Sequence, residues 1–539
     1  MKAKARSSIG FILNAHMPFV RHPEYPKFLE EDWLFEAISE TYLPLLRKLK
    51  KLREEEIPFK LTMSLSPTLC TMLADPILQG RFTNYLRLHQ ELGEKEVVRC
   101  AIENPDLLPI VHKYLDQIKN NVKDYFEEYH CNILVGFNDL EESGHVDLIT
   151  TAATHAFLPL YSEYPAAVNA QVELAVQSHI NFFKRRPKGF WLPECGYYPG
   201  VEEYLKNEEL SFFQLGAQAL SLSETPVKRG NYAPIVTPSG VYGFARDFHL
   251  TNLVWSNVEG YPCDPLYREF YRDIGYDLPI EYIGPYIHEP EVRVFTGFKY
   301  FAITNKGNNK KHYDIEAASK RVKEHAQNFL FEVNKKTEKL ETMIDRPPFY
   351  TLAFDAELFG HWWYEGLDWL EEVIRLTAAS EKTILQTPLE YTIKYPQAQE
   401  VTPAFSSWGE GGYADVWTDG VNVWTYRHIH KAIERMEELA IRFPHQSSLK
   451  KRFLNQASRE VLLSMASDWP FIIHNGTSTS YAKKRLTDHL KNFNVVYEHM
   501  CKNAVNTEWL VKSEKRDNIF PDIDYNLFDA DCVRNRYNG

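Results

Sequence analysis

Short apolar runs alternate along this chain with longer stretches of helical periodicity. Residues 9–13 are too few for a core helix and read as a buried strand, which Pro18 prevents from continuing. Residues 33–51 place Leu34, Ile38, Tyr42, Leu45, Leu46 and Leu49 near a 3.6-residue period and predict a helix. Residues 59–64 form the next strand and complete a βαβ unit. From 76 to 129 the pattern is helical and charged, and 132–136 is an apolar run of either type. A strand at 146–151 and an amphipathic helix at 166–184, with Val168, Val172, Ala175 and Phe183 on one face, lead to a strand at 190–192. A long charged helix at 315–340, a strand at 349–354 and a helix at 367–378 follow. Strands alternating with helices predict an α/β fold with a parallel sheet.

Two regions depart from this rhythm. Residues 203–275 mix Gly, Pro, Tyr and Asp without clear periodicity, and are expected as an inserted subdomain or lid over the sheet. Strand-like character returns at 296–304, TGFKYFAIT. Residues 405–424 are a Gly- and Trp-rich loop, and amphipathic helices near 425–443, 449–465 and 481–500 predict a helical C-terminal domain. The expected boundaries are 1–202 and 276–400 for the two parts of a catalytic domain, 203–275 for the insertion and 401–539 for the helical domain.

The chemistry sits where the strands end. The run before Asp355 stops at FDAELFGHWWYEG, and the run before Glu194 stops at FWLPECGYYPG. The strands at 9–13 and 146–151 lead to His16 and His155. Ligands lie at the carboxyl ends of strands in parallel sheets and barrels, so these four residues converge if the strands share one barrel. Two carboxylates among aromatic rings fit acid, base or nucleophilic work on a sugar. A separation of about 5–5.5 Å would mean a retaining glycosidase and a wider gap an inverting one. Each motif alone also fits a carboxylate capping a loop, and each His alone fits a satisfied structural group. Trp362 and Trp363 are expected to pack behind Asp355. Cys195 is expected as a small loop or core residue.

Composition narrows the classes. Aromatic residues are 14 % of the 539, more than a core alone needs, and rings suit stacking on sugar faces. The net charge of −12 is dispersed, which argues against nucleic acid as a partner and suits a neutral substrate. Seven scattered cysteines without a CxxC or Cys/His cluster argue against a disulfide framework or structural zinc, and reduced cytosolic thiols are the default. Asn14 and His16 interrupt the N-terminal apolar stretch too early for a signal peptide, and no run of about 18 apolar residues predicts a membrane helix. A metal-dependent class, such as a carbohydrate deacetylase or zinc mannosidase, would need about three ligands. The strand ends show no HxH, HxxxH or DxH, and His428 with His430 falls on a helix. A non-catalytic glucan-binding protein is a third class, and it would not need paired carboxylates.

Taken together, NAHMPFV, THAFLP, FWLPECGYYP, FDAELFGHWWYEG and SSWGEGGYADVWTD resemble the five ordered regions of glycoside hydrolase family 57, over roughly residues 9 to 470. Within the family the likeness is to the 1,4-α-glucan branching enzymes. The resemblance implies a distorted (β/α)7 barrel with an inserted subdomain and a helical C-terminal domain, working by retention without metal or cofactor. It implies Glu194 as nucleophile and Asp355 as acid/base. It places His16 and His155 around the reacting sugar, Trp408 and Trp417 along the groove, and Asp468 and Trp469 near the substrate. The implied donor and acceptor are α-1,4-glucans such as amylose, glycogen or starch, in a cytoplasmic setting of glycogen or reserve-glucan synthesis. Transfer to a 4-hydroxyl (4-α-glucanotransferase) or to water (α-amylase) would use the same chemistry at the reacting sugar. Two features depart from the family pattern. The first motif reads His16-Met17-Pro18 where HLP or HQP is usual. Tyr300 or Phe301 stands where relatives carry a stacking Trp. Tyr232 and Tyr242 are both candidates for a gating aromatic in the insertion.

Overall fold

A computed structural model describes residues 5–288, 292–304, 307, 309–531 and 533. Its first strand, β1 (Ser7–Ala15), is buried at all nine positions. Burial on both faces is what makes a parallel strand read as an apolar run instead of an alternating one. The next strands are β2 (Leu61–Leu65), β3 (Val146–Thr151), β4 (Gly189–Trp191), β5 (Phe212–Leu215), β6 (Ile235–Val236), β7 (Tyr242–Ala245), β8 (Phe349–Asp355), β9 (Thr383–Leu385) and β10 (Gln399–Glu400). Parallel pairing runs β8-β1-β2-β3-β4-β5-β7. One parallel bridge, Arg246 to Thr351, joins the end of β7 back to β8, with the Asp247 N–H donating to the Thr351 carbonyl at 3.0 Å.

Seven parallel strands thus close a barrel with one weak seam, a distorted (β/α)7 architecture. The seam is weak because β6 pairs antiparallel with the start of β7, leaving only its end for β8. Ile12, Ile149, Trp191, Phe212, Phe244, Phe349 and Ala353 from the strands pack together with Tyr391, from the helix Pro388–Lys394, and fill the interior. That aromatic plug is the floor beneath the strand ends.

The stretch 203–275 is corrected in part. Its strands β5 and β7 belong to the barrel wall, and four-residue strands rich in Phe and Gly carry too little periodicity to be read. The material outside the barrel comes from two excursions, 67–145 between β2 and β3 and 256–314 before β8. They pack on each other, as the bonds from the Tyr282 and Tyr300 hydroxyls to Glu96 show. The segment 296–304 forms no regular strand, and Phe301 and Ala302 make single bridges only. Residues 132–136 lead into the helix Leu134–Glu142.

The helix expected at 33–51 is two helices, Glu31–Ala37 and Leu43–Glu54, joined by a wide π turn at Ile38–Tyr42. Such turns displace side chains from the regular helical surface. Here the displaced residues include Glu40 and Tyr42, which reach the loop after Asp355.

The C-terminal part is helical: Trp424–Arg442, Ser448–Ser464, Asp468–Asn475, Thr479–Cys501 and Thr507–Arg516. It docks on the loop carrying His155. Ala156 bridges Ala466, the Ser467 N–H donates to the His155 carbonyl at 3.1 Å, and Thr154 Oγ1 donates to the Leu462 carbonyl at 2.5 Å. Among the described residues no helix is long and apolar enough to cross a membrane. The six described cysteines are free, and Cys532 lies outside the described residues.

Candidate active site

Register brings the strand ends level. Asn14 on β1 lies directly opposite Asp355 on β8, and strand alternation puts Asn14 on the same side as His16 two residues on. Asn14 Nδ2 donates to Asp355 Oδ1 at 3.4 Å and lies 3.4 Å from His155 Nε2. The His155 ring stacks on His16, with centroids 3.8 Å apart and planes 9° from parallel. On its other side His155 Nδ1 is 3.1 Å from Ser467 Oγ and 3.8 Å from Glu194 Oε1. The two carboxylates are therefore joined by a short buried path through Asn14 and His155.

Glu194 sits just past β4 in left-handed backbone, φ 58°, and Cys195 follows at φ 50°. Left-handed conformations are costly for residues with a Cβ and recur where a side chain must be aimed. His155 is held the same way, at φ 56°. Trp408 Nε1 donates to Glu194 Oε2 at 2.7 Å, and Ser467 Oγ donates to Glu194 Oε1 at 3.1 Å. The Trp408 backbone N–H donates to the Glu194 carbonyl at 2.9 Å, so the loop is tied to the site twice.

Burial, then the charge of Asp355, pushes the Glu194 carboxyl up to about 8, against the two hydrogen bonds that favour its ionised form. Burial pushes Asp355 up to about 6, opposed first by the Asn14 bond and by the His16 and Arg246 charges. Between about pH 6 and 8 the pair holds one proton. His155 is driven well below the usual imidazole range, first by burial and then by His16, so it is neutral. With Nε2 facing the Asn14 amide, Nδ1 carries its proton toward Ser467. Cys195 is buried and its thiol is pushed up to about 12, chiefly by desolvation, which makes it inert as a nucleophile.

The loop after Asp355 is fixed from the π turn. The Tyr42 hydroxyl donates to Glu357 Oε1, which also accepts the His16 backbone N–H at 3.3 Å. His361 Nδ1 lies 2.6 Å from Glu40 Oε2. Gly360 has φ 102°, and a Cβ there would lie 2.2 Å from the Glu40 carbonyl oxygen, so only glycine permits this approach.

Of the other expected residues, Asp468 reaches the site, with both carboxylate oxygens 3.1 Å from His16 Nε2. Ser66 Oγ lies 2.9 Å from the other His16 nitrogen. Trp417 is corrected to a core residue: it is 1 % exposed and stacked on Phe157 at 4.5 Å. Trp469 is likewise fully buried, with Nε1 donating to the Leu463 carbonyl at 2.8 Å. Tyr300 is buried and donates to Glu96, and Phe301 lies under the Arg272 guanidinium, so both belong to the packing of the two excursions. Tyr242 opens β7 and Tyr232 packs on Tyr350 near the start of β8, at the end of the barrel opposite the carboxylates. Trp363 is buried, as expected, but Trp362 is exposed and turns toward Trp255.

Sequence reasoning misses Asn14, Ser467, Trp255 and Arg246. Arg246 ends the apolar run of β7 and sets its guanidinium 4.8 Å from the Trp408 ring centre. The rule that finds Glu194 and Asp355, a charge where a buried strand ends, would find Arg246 too if β7 were recognisable as a strand.

Among the described residues, the three-ligand grouping able to share a metal ion is Glu460, His489 and Asp517, in the C-terminal helices. Arg485 and Arg516 pair with Asp517 there and already supply the positive charge. The strand-end residues are not part of that grouping.

Comparison with known proteins agrees with this geometry. Residues 428–528 match the C-terminal domain model of 1,4-alpha-glucan branching enzymes. The alpha-amylase AmyC from Thermotoga maritima is 41 % identical and superposes with a TM-score of 0.91, over 97 % of this chain and 99 % of its own. The GH57-type branching enzyme from Pyrococcus horikoshii is 31 % identical with a TM-score of 0.86, over 97 % of each chain. The 1,4-alpha-glucan branching enzyme TK1436 of Thermococcus kodakarensis is 30 % identical across 95 % of this chain and 77 % of its own length. The model of glycosyl hydrolase family 57 matches residues 10–403, a span that reaches into every barrel strand and holds both strand-end carboxylates, and the chain belongs to that family.

Proposed function

We propose that this protein is a 1,4-α-glucan branching enzyme that cleaves an internal α-1,4 bond and rejoins the chain through an α-1,6 bond, with retention. The observation that carries the chemistry is the pair Glu194 and Asp355, at the ends of β4 and β8, linked through His155 and Asn14. The matching C-terminal domain and the two branching-enzyme relatives support transfer as the outcome.

In this reading Glu194 attacks the anomeric carbon while Asp355 protonates the departing glycosidic oxygen, leaving a β-glucosyl ester on Glu194. The reactive form carries the shared proton on Asp355 and leaves Glu194 ionised, and the Trp408 and Ser467 donors lower the cost of that form against the burial that holds Glu194 the higher of the two. Asp355, now ionised, takes the proton of an acceptor 6-hydroxyl as its oxygen attacks the anomeric carbon and the ester breaks. His16, Asp468 and the neutral His155 offer polar atoms for the sugar hydroxyls. Donor and acceptor are α-1,4-glucans such as amylose or glycogen, and glycogen or reserve-glucan synthesis in the cytoplasm is the setting, in keeping with the free thiols.

A second reading, hydrolysis, is favoured by the 41 % identity to an alpha-amylase. Both readings share the chemistry at the reacting sugar and differ in whether water or a hydroxyl takes the ester. The deciding experiment incubates the protein with amylose, with and without EDTA, counting α-1,6 linkages by proton NMR and reducing ends in parallel. New α-1,6 signals without accumulating free ends are expected, with or without EDTA. Free ends without branches would establish an amylase, and loss in EDTA would overturn the two-carboxylate mechanism.

The pH profile is expected to be a bell. Below about pH 6 both carboxyls are protonated and no nucleophile exists. Above about pH 8 both are ionised and no acid remains. Trp408→Phe keeps the ring and removes one donor from Glu194. It is expected to push the Glu194 carboxyl further up, which raises the alkaline limb of kcat/KM, and to lower the rate at the optimum by roughly tenfold, the scale of one hydrogen bond to a charged group. An unchanged alkaline limb would show that the indole does not stabilise the carboxylate.

A further inference from the structure

The aromatic rings at Glu194 do not stop at the site. From Trp408 a file of rings runs through Trp255, Trp362 and His361 to Phe270, Phe295 and Tyr276, with successive centroids 5.2–6.3 Å apart. Trp255, Trp362 and Tyr276 are 39, 46 and 47 % exposed, although many of the largest rings in this protein are fully buried. The file therefore lies on the surface, and it continues outward from the catalytic pair over the 256–314 excursion.

Its far end is built from beneath. Lys299 is 1 % exposed, and its ammonium lies 4.1 Å from the Phe270 ring centre and 4.2 Å from that of Phe295. The two half-buried rings roof this cation, which holds them by cation–π attraction. Glu36 Oε2 lies 3.9 Å from His361 Nε2, which sets carboxylate oxygens beside the rings. Rings for the C–H faces of sugars, with carboxylates for their hydroxyls, are what a carbohydrate groove offers. Each ring-to-ring step is about the width of one sugar.

We propose that this file is a distal binding strip for an α-1,4-glucan chain, and that it selects substrates by length. The occupant follows from continuity, because Trp408 both touches Glu194 and begins the file. The proposal thus rests on the reading of the pair as acting on glucan. A chain long enough to reach Phe270 and Tyr276 gains contacts that a short one lacks.

The test measures binding by calorimetry in a Glu194→Gln background, using maltotriose and maltoheptaose. Phe270→Ala with Tyr276→Ala is expected to weaken maltoheptaose binding about tenfold and to leave maltotriose within about twofold. Tyr276→Ala and Trp362→Ala alone, at exposed positions, should each show a smaller loss of the same kind and guard against a folding defect. Unchanged maltoheptaose affinity, or equal losses for both sugars, would overturn the proposal. So would the absence of maltoheptaose binding to the Glu194→Gln protein, or a loss of self-association in place of sugar binding. The catalytic reading fails separately, if the unsubstituted protein makes neither α-1,6 links nor reducing ends while length-dependent binding persists.

Discussion

Glu194→Gly is expected to lower turnover of amylose by about 10⁴-fold or more, because it removes the proposed nucleophile that splits the reaction into two steps. Glycine suits the position, since Glu194 already holds a left-handed φ of 58°. The loss should therefore be chemical and not a failure to fold. Azide then distinguishes roles. With α-maltotriosyl fluoride as donor, azide entering the space left by the carboxylate forms a carbon–nitrogen bond as the carbon–fluorine bond breaks and fluoride departs. The product is the β-glycosyl azide, identified by mass and by its anomeric coupling. Retained activity in Glu194→Gly, or an α-glycosyl azide, would remove Glu194 from the nucleophile's role.

Asp355→Asn should cost about 10³-fold on amylose, whose departing sugar oxygen needs a proton, and far less on α-maltotriosyl fluoride, whose fluoride does not. The pH profile on the fluoride gives a second readout. In the unsubstituted protein burial and the Asp355 charge together hold Glu194 up to about 8. Removing that charge lowers the Glu194 value, and no acid remains to lose. The bell should become a single rise with a midpoint below about 8. A profile that keeps its alkaline limb would show that another group, with Glu357 the nearest candidate by its bond to His16, supplies the proton.

Both substituted residues are legible in the amino-acid sequence. β1 and β8 are buried on both faces, so their apolar runs are unbroken and their ends conspicuous. His16 and Asp355 stand out because each closes such a run, and Glu194 because it follows the short apolar run of β4. The same reasoning fails at β5 and β7, whose short runs are broken by Gln214 and Gly243 and lie in a stretch rich in Gly and Pro. With β7 hidden in this way, Arg246 passes for a loop residue, and the barrel's seventh strand passes for part of an insertion. Trp362 and Trp363 show a different limit. Being adjacent, they point apart, and composition alone does not say which faces solvent. The structure buries Trp363 against Tyr267 and Trp369 and leaves Trp362 outside.

The sequence by itself determined the α/β alternation, the helical C-terminal part, and the chemical character of the strand ends. These are local properties: a strand buried on both faces must be apolar along its length, and a charge at its end must be held by something. Tertiary structure alone decided which aromatics lie against the strand-end carboxylates. Trp408 reaches Glu194, whereas Trp417 and Trp469 are sealed in the core. It also decided that Ser467 and Asp468, at the start of a C-terminal helix, complete the surroundings of His155, Glu194 and His16. Those contacts join residues hundreds of positions apart. No local propensity encodes them, because they arise only when the helical domain docks on the loop that holds His155 in its left-handed turn.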